Sequence, residues 1–455
     1  MLTYACAIVL MGASFARYAM RFSPVGRWQA GDYDPADYRY VAEYFWGLPI
    51  VPSTYDAIWN GPWGTYLQTI PFRTIGLGSL YLVTGWLKLG HAPATPDEIV
   101  AAGAAFAWLQ KGLLAVAILT LFAVVRRGWG TPLAFLALLL AAFPPDVWRL
   151  SDDFLTEPVH RILFLLAAAC AVAMHEPRRT VPLAFALTAL WFVATHLKVQ
   201  WYVGALLLFP VLLYQLWRAR ASLSAMLALG VATAAVPLSV VAVNWIGWRS
   251  TSLSPGVGLH VNLRYDQAVL PAYSVATAGS PDRPPFADLE QPRLRWWLIH
   301  ISPRTTQDQY EAFDRFGQQY LRRHMGAALG HFWEGLASAS TIPGVERIED
   351  GRLRLLPLPE PWHSAVRVLD LAVWLLLIAG LAYEETRVFS ALSLVLWVVP
   401  AIGNVASLYE LRYHLPMAGI PALAAAIVAV RAFAGQRVGG GSAAASGGTI
   451  SGRRW

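Results

Sequence analysis

The sequence predicts an all-α polytopic membrane protein, a bundle of about 10–11 transmembrane helices with large first and late extracytoplasmic loops. Hydrophobic residues make up 56 % of the 455 residues and charged residues only 14 %, and mean hydropathy is +0.45. The apolar residues also fall in runs long enough to cross a bilayer as helix. This composition excludes intrinsic disorder and a nucleic-acid module. The net charge of +7 is therefore read as loop orientation, not as a polyanionic partner. With 20 Trp, 18 Tyr and 19 Phe, aromatics exceed what two interfacial belts need, so some are expected to line a cavity or dock a lipid.

The first apolar stretch, Leu2 to Ala16, lacks the basic start of a secretory signal and is expected to remain as an anchor. Strong spans follow at 99–125, 131–148, 157–174, 180–196, 199–217, 222–247, 364–383, 388–407 and 414–434. Several are short or carry proline, as at Phe143-Pro144-Pro145. Irregular backbone at membrane depth is tolerated only against protein or a wet cavity, which points to a buried site. The stretch 67–90 is apolar enough to cross but holds Gln68, Pro71, Arg73 and Lys88. If it lies in the interface, Arg126, Arg127, Arg178, Arg179, Arg218, Arg220, Arg387, Arg431, Arg437, Arg453 and Arg454 share the cytoplasmic side against Arg149, Lys198 and Arg412 outside, a clear positive-inside bias. If instead it crosses and the N-terminus lies outside, Arg17, Arg21, Arg27 and Arg39 join the cytoplasmic side. The larger count favours the interface.

The chain thus divides into an N-terminal transmembrane catalytic module, 1–247, with an extracytoplasmic loop at 17–98; a second extracytoplasmic loop, 248–363; C-terminal transmembrane helices, 364–434; and a Gly/Ser/Ala-rich cytoplasmic tail, 435–455, expected to be disordered. Within the second loop, apolar and aromatic residues at 310, 313, 316, 320, 321, 325, 329, 332 and 336 recur at the spacing of an amphipathic helix. Cys6 and Cys170 sit in apolar runs, implying neither a disulfide frame nor a zinc site.

The candidate chemistry is extracytoplasmic. On helical spacing after Pro35, Asp37, Tyr40, Val41 and Tyr44 share a face, holding one carboxylate among aromatics at the membrane surface, where a general base is wanted. The same residues also read as a wet amphipathic helix capped by Asp34 or Asp37. Glu157, in Ser151-Asp152-Asp153-Phe154-Leu155-Thr156-Glu157-Pro158, precedes His160 and Arg161 at the start of a span. Ionisable groups there mark a site by default, although Asp153 or Thr156 could cap the helix, with Pro158 in its first turn. Cations recur at that level as His196 and Lys198, and as Arg412 and His414 in Glu410-Leu411-Arg412-Tyr413-His414-Leu415-Pro416. Such groups at the outer ends of separate spans need an anion, of which a lipid phosphate is the plainest; snorkelling to ordinary headgroups is the alternative. His260, Arg264, His324 and His331 in the second loop could also serve.

Five stretches together resemble the GT-C class of membrane glycosyltransferases that use polyprenyl-phosphate sugars, such as protein mannosyltransferases and lipid A aminoarabinose transferases. Asp37-Tyr38-Arg39-Tyr40-Val41-Ala42 is similar to the first-loop Asp followed three residues on by Tyr, and Asn60-Gly61-Pro62-Trp63-Gly64-Thr65-Tyr66 to a Pro-rich segment ahead of an apolar helix. Ser151 with Thr156-Glu157-Pro158 resembles the Ser...Thr-Glu element. The loop pair Ser252 to Asn262 and Phe316 to His324, with Arg412-Tyr413-His414-Leu415-Pro416, resembles the bacterial branch. Two positions depart from the pattern: Tyr38 stands where a second acid is common, and Asn60 where a basic residue is.

The resemblance implies an inverting transferase of the bacterial inner membrane, its active site facing the periplasm or exterior. The acceptor hydroxyl attacks the anomeric carbon of a polyprenyl-phosphate sugar, Asp37 takes the proton, and polyprenyl phosphate leaves against Arg412, His414, Lys198 and His196. Glu157 is the second catalytic candidate; Tyr40, Arg161, His260 and Arg264 complete the substrate-binding candidates. No cofactor is required, although Asp37 with Glu157 could hold a divalent metal. The expected partners are the lipid-linked donor, a glycan, lipid or protein acceptor, and the bilayer, with no nucleic acid. Two rivals stand: a transporter or flippase of lipid-linked sugars, which predicts charged or broken helices near the midplane and an internal repeat, and an O-antigen ligase or polymerase, which uses diphosphate donors.

Overall fold

The computed structural model describes residues 2–21, 33–49, 74–144, 147–148, 156–253, 318–319, 321–338, 340, 345–349, 352–356, 360–406 and 416–439. Helices α1 (Leu2–Arg21), α2 (Tyr33–Phe45), α3 (Ile75–Leu89), α4 (Pro96–Trp129), α5 (Thr131–Ala142), α6 (Thr156–Ala173), α7 (Thr180–Leu197), α8 (Tyr202–Arg218), α9 (Leu223–Trp248) and α10 (Met325–Ser338) are followed by an antiparallel hairpin, β1 (Val345–Glu349) and β2 (Arg352–Leu356). Helices α11 (Glu360–Gly380), α12 (Arg387–Ala406) and α13 (Ile420–Gly439) complete the chain. Among the described residues, 8 helices are long and apolar enough to cross a membrane, and α3, α5 and part of α13 are shorter apolar helices. The chain is a polytopic helical membrane protein, as its composition predicts.

Local signals fix the helix ends. Thr95 and Glu98 form a reciprocal capping box at the start of α4, with Thr95 Oγ1 accepting from Glu98 N at 3.3 Å and Glu98 Oε2 from Thr95 N at 3.1 Å. That helix runs 34 residues to Gly130, whose φ of 90° lets the chain reverse directly into α5. The predicted span 131–148 stops early, at Ala142, because the prolines that follow disfavour helical backbone just before them and supply no amide proton. The last span begins at Ile420 instead of 414 and reaches Gly439, so residues 435–439 are helical, against the disorder expected from Gly435. An established helix adds residues at little cost, and Gln436 to Val438 continue it despite the glycine. The hairpin was not anticipated in the second loop, and the amphipathic helix expected over 310–336 is found as α10; 310, 313, 316 and 320 lie outside the described residues.

Contacts between helix ends establish two faces. Arg126, near the end of α4, covers the Tyr4 ring at 4.8 Å, whereas Ser14 Oγ donates to Ala142 O at 2.6 Å, so α1 runs antiparallel to α4. The ends of α4, α6, α8 and α11 and the start of α12 share a basic face, laced by Arg127–Glu176, Arg179–Glu176, Arg218–Glu384 and Arg431–Glu385. The opposite face, here the loop face, gathers the starts of α4 and α6 and the ends of α7, α9 and α12. The whole of α3 lies there: at its start Thr74 Oγ1 donates to Leu197 O at 2.7 Å at the end of α7, midway Tyr81 Oη donates to Ile99 O at 3.0 Å in the first turn of α4, and toward its end Gly85 meets Pro93 and Ala102. Residues 75–89 therefore do not cross, in agreement with the larger charge count.

Candidate functional site

The first turns of α6 bury four polar residues: Thr156, Glu157, His160 and Arg161 are at most 4 % exposed. Burial of such groups is costly unless each is satisfied, so their partners define what the region does. His160 Nε2 lies 3.1 Å from Ala194 O on α7, an acceptor that places the imidazole proton on that nitrogen. Its ring packs on Phe164 and Trp201, with both centroids 5.6 Å away. The charges of Glu157 and Lys198 both reach this imidazole. Lys198 caps α7 in extended backbone, its N–H bonded to the same Ala194 O. Glu157, one helical turn before His160, and Lys198, whose N–H shares the Ala194 carbonyl with the imidazole, thus lie together where the start of α6 meets the end of α7, over a floor of Phe164, Trp191 and Trp201.

Two glycines bring the Asp37 helix to this cluster. A Cβ on Gly76 of α3 would overlap the His196 carbonyl of α7, and one on Gly78 would overlap the Tyr38 carbonyl of α2. The two glycines lie about 3 Å apart along the helix axis, so the first turn of α3 sits between the end of α7 and the start of α2, at a spacing only small residues allow. At its other end α2 is held by Tyr44 and Phe45, whose rings lie 5.8 and 5.9 Å from Trp248 at the end of α9. Asp37 belongs to α2 by its backbone, one residue before Tyr38; its side chain lies outside the described residues. Tyr40 is buried, with the Arg39 guanidinium 4.8 Å from its ring centre.

Two sequence-based expectations meet a different geometry, and one pair is new. Arg161, taken as a substrate-binding candidate, has its guanidinium turned onto main chain: Nη1 donates to Pro416 O at 3.3 Å and to Ala418 O, and Nη2 to Leu140 O at 3.2 Å and Ala141 O at 3.0 Å. It clasps the turn before α13 to the end of α5, where Gly419, at φ 80°, meets Leu140. His196, expected on a phosphate, donates instead to Ser239 Oγ at 2.8 Å, since the Ser239 hydroxyl is itself given to Val236 O; it ties α7 to α9. Arg39 and Glu43, which the sequence reading passed over, form a buried pair at 3.3 Å one turn apart. Their i,i+4 spacing is the signal that could have found them.

His260, Arg264, Arg412 and His414, with Ser151, Asp152 and Asp153, lie outside the described residues. In sequence, Arg412 and His414 fall between α12 and the turn that Arg161 clasps. The second loop returns to the loop face: Asn404 Nδ2 near the end of α12 donates to His331 O at 2.6 Å on α10, and Gly335 packs on Ala401 and Asn404. Among the described residues no three His, Cys, Asp or Glu converge as a metal set.

What fold and site define is a polytopic membrane protein with an acid, an imidazole and a cation gathered in the buried ends of its helices at one face. No protein-family profile and no curated protein matches the chain. Among solved structures it is similar to the archaeal oligosaccharyltransferase AglB from Archaeoglobus fulgidus in complex with an inhibitory peptide and a dolichol-phosphate, at 11 % identity over 93 % of this chain, with a TM-score of 0.43. The chain covers 49 % of AglB, about half its length. It is also similar to ArnT from Cupriavidus metallidurans in the apo state, at 15 % identity over 95 % of this chain and 79 % of ArnT, with a TM-score of 0.32. Similarity this distant supports no statement about activity.

Proposed function

We propose that this protein transfers a sugar from a polyprenyl-phosphate donor to an acceptor hydroxyl at the loop face, inverting the anomeric centre, with Asp37 as general base. The observation that carries the reading is the meeting of the Glu157–His160 turn of α6 with the Lys198 end of α7 through the Ala194 carbonyl, beside the glycine contacts that bring α2 alongside. The hydroxyl oxygen forms the new bond to the anomeric carbon as the bond to phosphate oxygen breaks, and Asp37 receives the hydroxyl proton. Phosphate leaves without needing an acid, so the protein's remaining task is to stabilise its charge; Lys198, Arg412 and His414 serve that purpose. Glu157, buried one turn before His160, is the second catalytic candidate, and the imidazole itself is held by the Ala194 carbonyl. No step uses a metal, and Asp37 with Glu157 would be the pair to hold one. The positive-inside rule makes the basic face cytoplasmic, so the reaction faces the periplasm or exterior of a bacterial inner membrane.

One observation belongs to the transporter reading. Asp370 is buried midway along α11, where it accepts from Ser340 Oγ at 2.8 Å, and acids at that depth often serve transport. It stands apart from the cluster, and the sequence shows no internal repeat. Protein reconstituted in proteoliposomes and supplied with undecaprenyl-monophosphate and undecaprenyl-diphosphate sugars separates the readings. Transfer from the monophosphate alone is expected. Transfer only from the diphosphate would establish the ligase or polymerase, and translocation without transfer the flippase.

A further inference from the structure

Gln110 lies inside α4 with 1 % exposure, and neither atom of its carboxamide has a hydrogen-bond partner. Its place follows from helix geometry. Helices α4 and α6 pack side by side, both running from the loop face to the basic face. At the basic end Gly128 meets the His175 ring, 2.9 Å from where its Cβ would stand. Gln110 precedes Gly128 by five full helical turns, so it points the same way, toward α6, about 27 Å nearer the loop face. Glu157 stands 16 residues, about 24 Å, from Ala173 at the basic end of α6, and so at a similar level. One turn above Gln110, Phe106 packs on Tyr81 of α3 at 6.3 Å, and Tyr81 in turn feels the charges of Arg39 and Glu43 on α2. The carboxamide is thus placed between the α2–α3 layer and the first turn of α6.

We infer that Gln110 is a sugar-recognition residue of the Glu157 site, an assignment that rests on the lipid-phosphate-sugar reading above. A carboxamide suits that role because it offers an acceptor oxygen and two donor hydrogens, the complement of a sugar hydroxyl that both donates and accepts. It is neutral, so it adds nothing to phosphate binding. A site built to hydrogen-bond a hydroxyl discriminates strongly, because the wrong sugar leaves buried polar groups unpaired.

The test compares wild type with Gln110→Met, which keeps length and flexibility, and Gln110→Asn, which withdraws the carboxamide by one methylene. The full-length protein in detergent is titrated with undecaprenyl phosphate and with its mannosyl, glucosyl, galactosyl and aminoarabinosyl derivatives, and thermal unfolding is followed alongside. Both variants are expected to lose about ten-fold or more in affinity for the preferred sugar donor, the weight of one or two hydrogen bonds. They should keep wild-type affinity for bare undecaprenyl phosphate and an unchanged melting temperature. Variants that bind every probe as wild type does overturn the assignment. So does an equal loss for sugar donor and bare lipid phosphate with a lowered melting temperature, which would make Gln110 a packing residue. Wild-type protein that binds no probe removes the donor reading itself, and the assignment with it.

Discussion

At the basic face, Arg127, Arg179, Arg218 and Arg431 meet Glu176, Glu384 and Glu385 at 2.5–3.4 Å with side chains 30–65 % exposed. At the loop face, Glu157, His160 and Arg161 are almost wholly buried, and Arg161 spends its guanidinium on four carbonyls. An exposed ion pair contributes about 0–1 kcal/mol and tolerates loss, whereas a buried charge is kept only where its surroundings are built for it. The contrast separates charges that orient the protein in the membrane from polar groups whose geometry is maintained at a cost, and the second kind marks the site.

The largest test of that contrast is Asp37→Asn, expected to lower turnover by about 10²–10⁴-fold while donor binding persists. If more than about a tenth of the activity survives in a single-turnover assay, the base is another residue. Next, Arg161→Leu leaves four carbonyls without their donor and is expected to cost about 3–5 kcal/mol, against less than about 1 kcal/mol for Arg127→Leu. Thermal unfolding of the two variants in one detergent gives the comparison, and equal melting temperatures would erase the distinction between the faces. Arg412→Ala should weaken a non-hydrolysable donor analogue by about 1.5–3 kcal/mol, with Lys198→Ala doing less because a flexible ammonium gives up fewer directed bonds. Wild-type affinity in both variants would mean that these side chains only snorkel. Gly78→Val should cost about 1–3 kcal/mol by pushing the Tyr38 carbonyl away, with activity falling further than stability; proportionate losses would argue that α2 serves only packing.

The smallest effect belongs to the basic face. Burial alone would raise the Glu385 carboxyl, but its own backbone N–H and the Arg431 guanidinium outweigh burial and hold it below its ordinary value. A depressed carboxyl stabilises the fold above its unfolded pKa, and that contribution disappears as pH falls through the folded value. Glu385→Gln should therefore flatten slightly the loss of stability on acidification. A profile as steep as wild type would show that the pair contributes nothing.

Much of the architecture was legible because it is local. Thr95-Pro96-Asp97-Glu98 announces the start of α4 and the double proline ends α5. The hairpin has an equally local signature, since Asp350-Gly351 joins two segments alternating in charge and aliphatic character. The site was harder to read. His196 and Lys198 look equivalent in sequence, yet His196 is in the last helical turn of α7 and bonds Ser239 on α9, while Lys198 is already in extended backbone, its N–H on the Ala194 carbonyl that His160 also meets. The partners of Arg161 are main-chain carbonyls, up to 257 residues away in sequence and without side-chain signature. Gln110 drew no notice because a single neutral amide barely lowers the hydropathy of α4.

The length of α4 sets how far from the membrane the α2–α3 layer stands. Its 34 residues reach about 51 Å, some 20 Å more than the hydrocarbon thickness of roughly 30 Å. The basic end stops at Arg126 and Arg127, so the excess stands on the other side as a rigid post. α3 is bolted to that post through Ile99 and Ala102, and α2 rides on α3, so the altitude of Asp37 is counted out in residues of one helix. Removing four residues between Thr95 and Phe106 would lower that platform by about 6 Å and swing it by about 40°, while Gln110 and Glu157 stay level. An acceptor anchored in the leaflet and one arriving from solution should then respond in opposite directions.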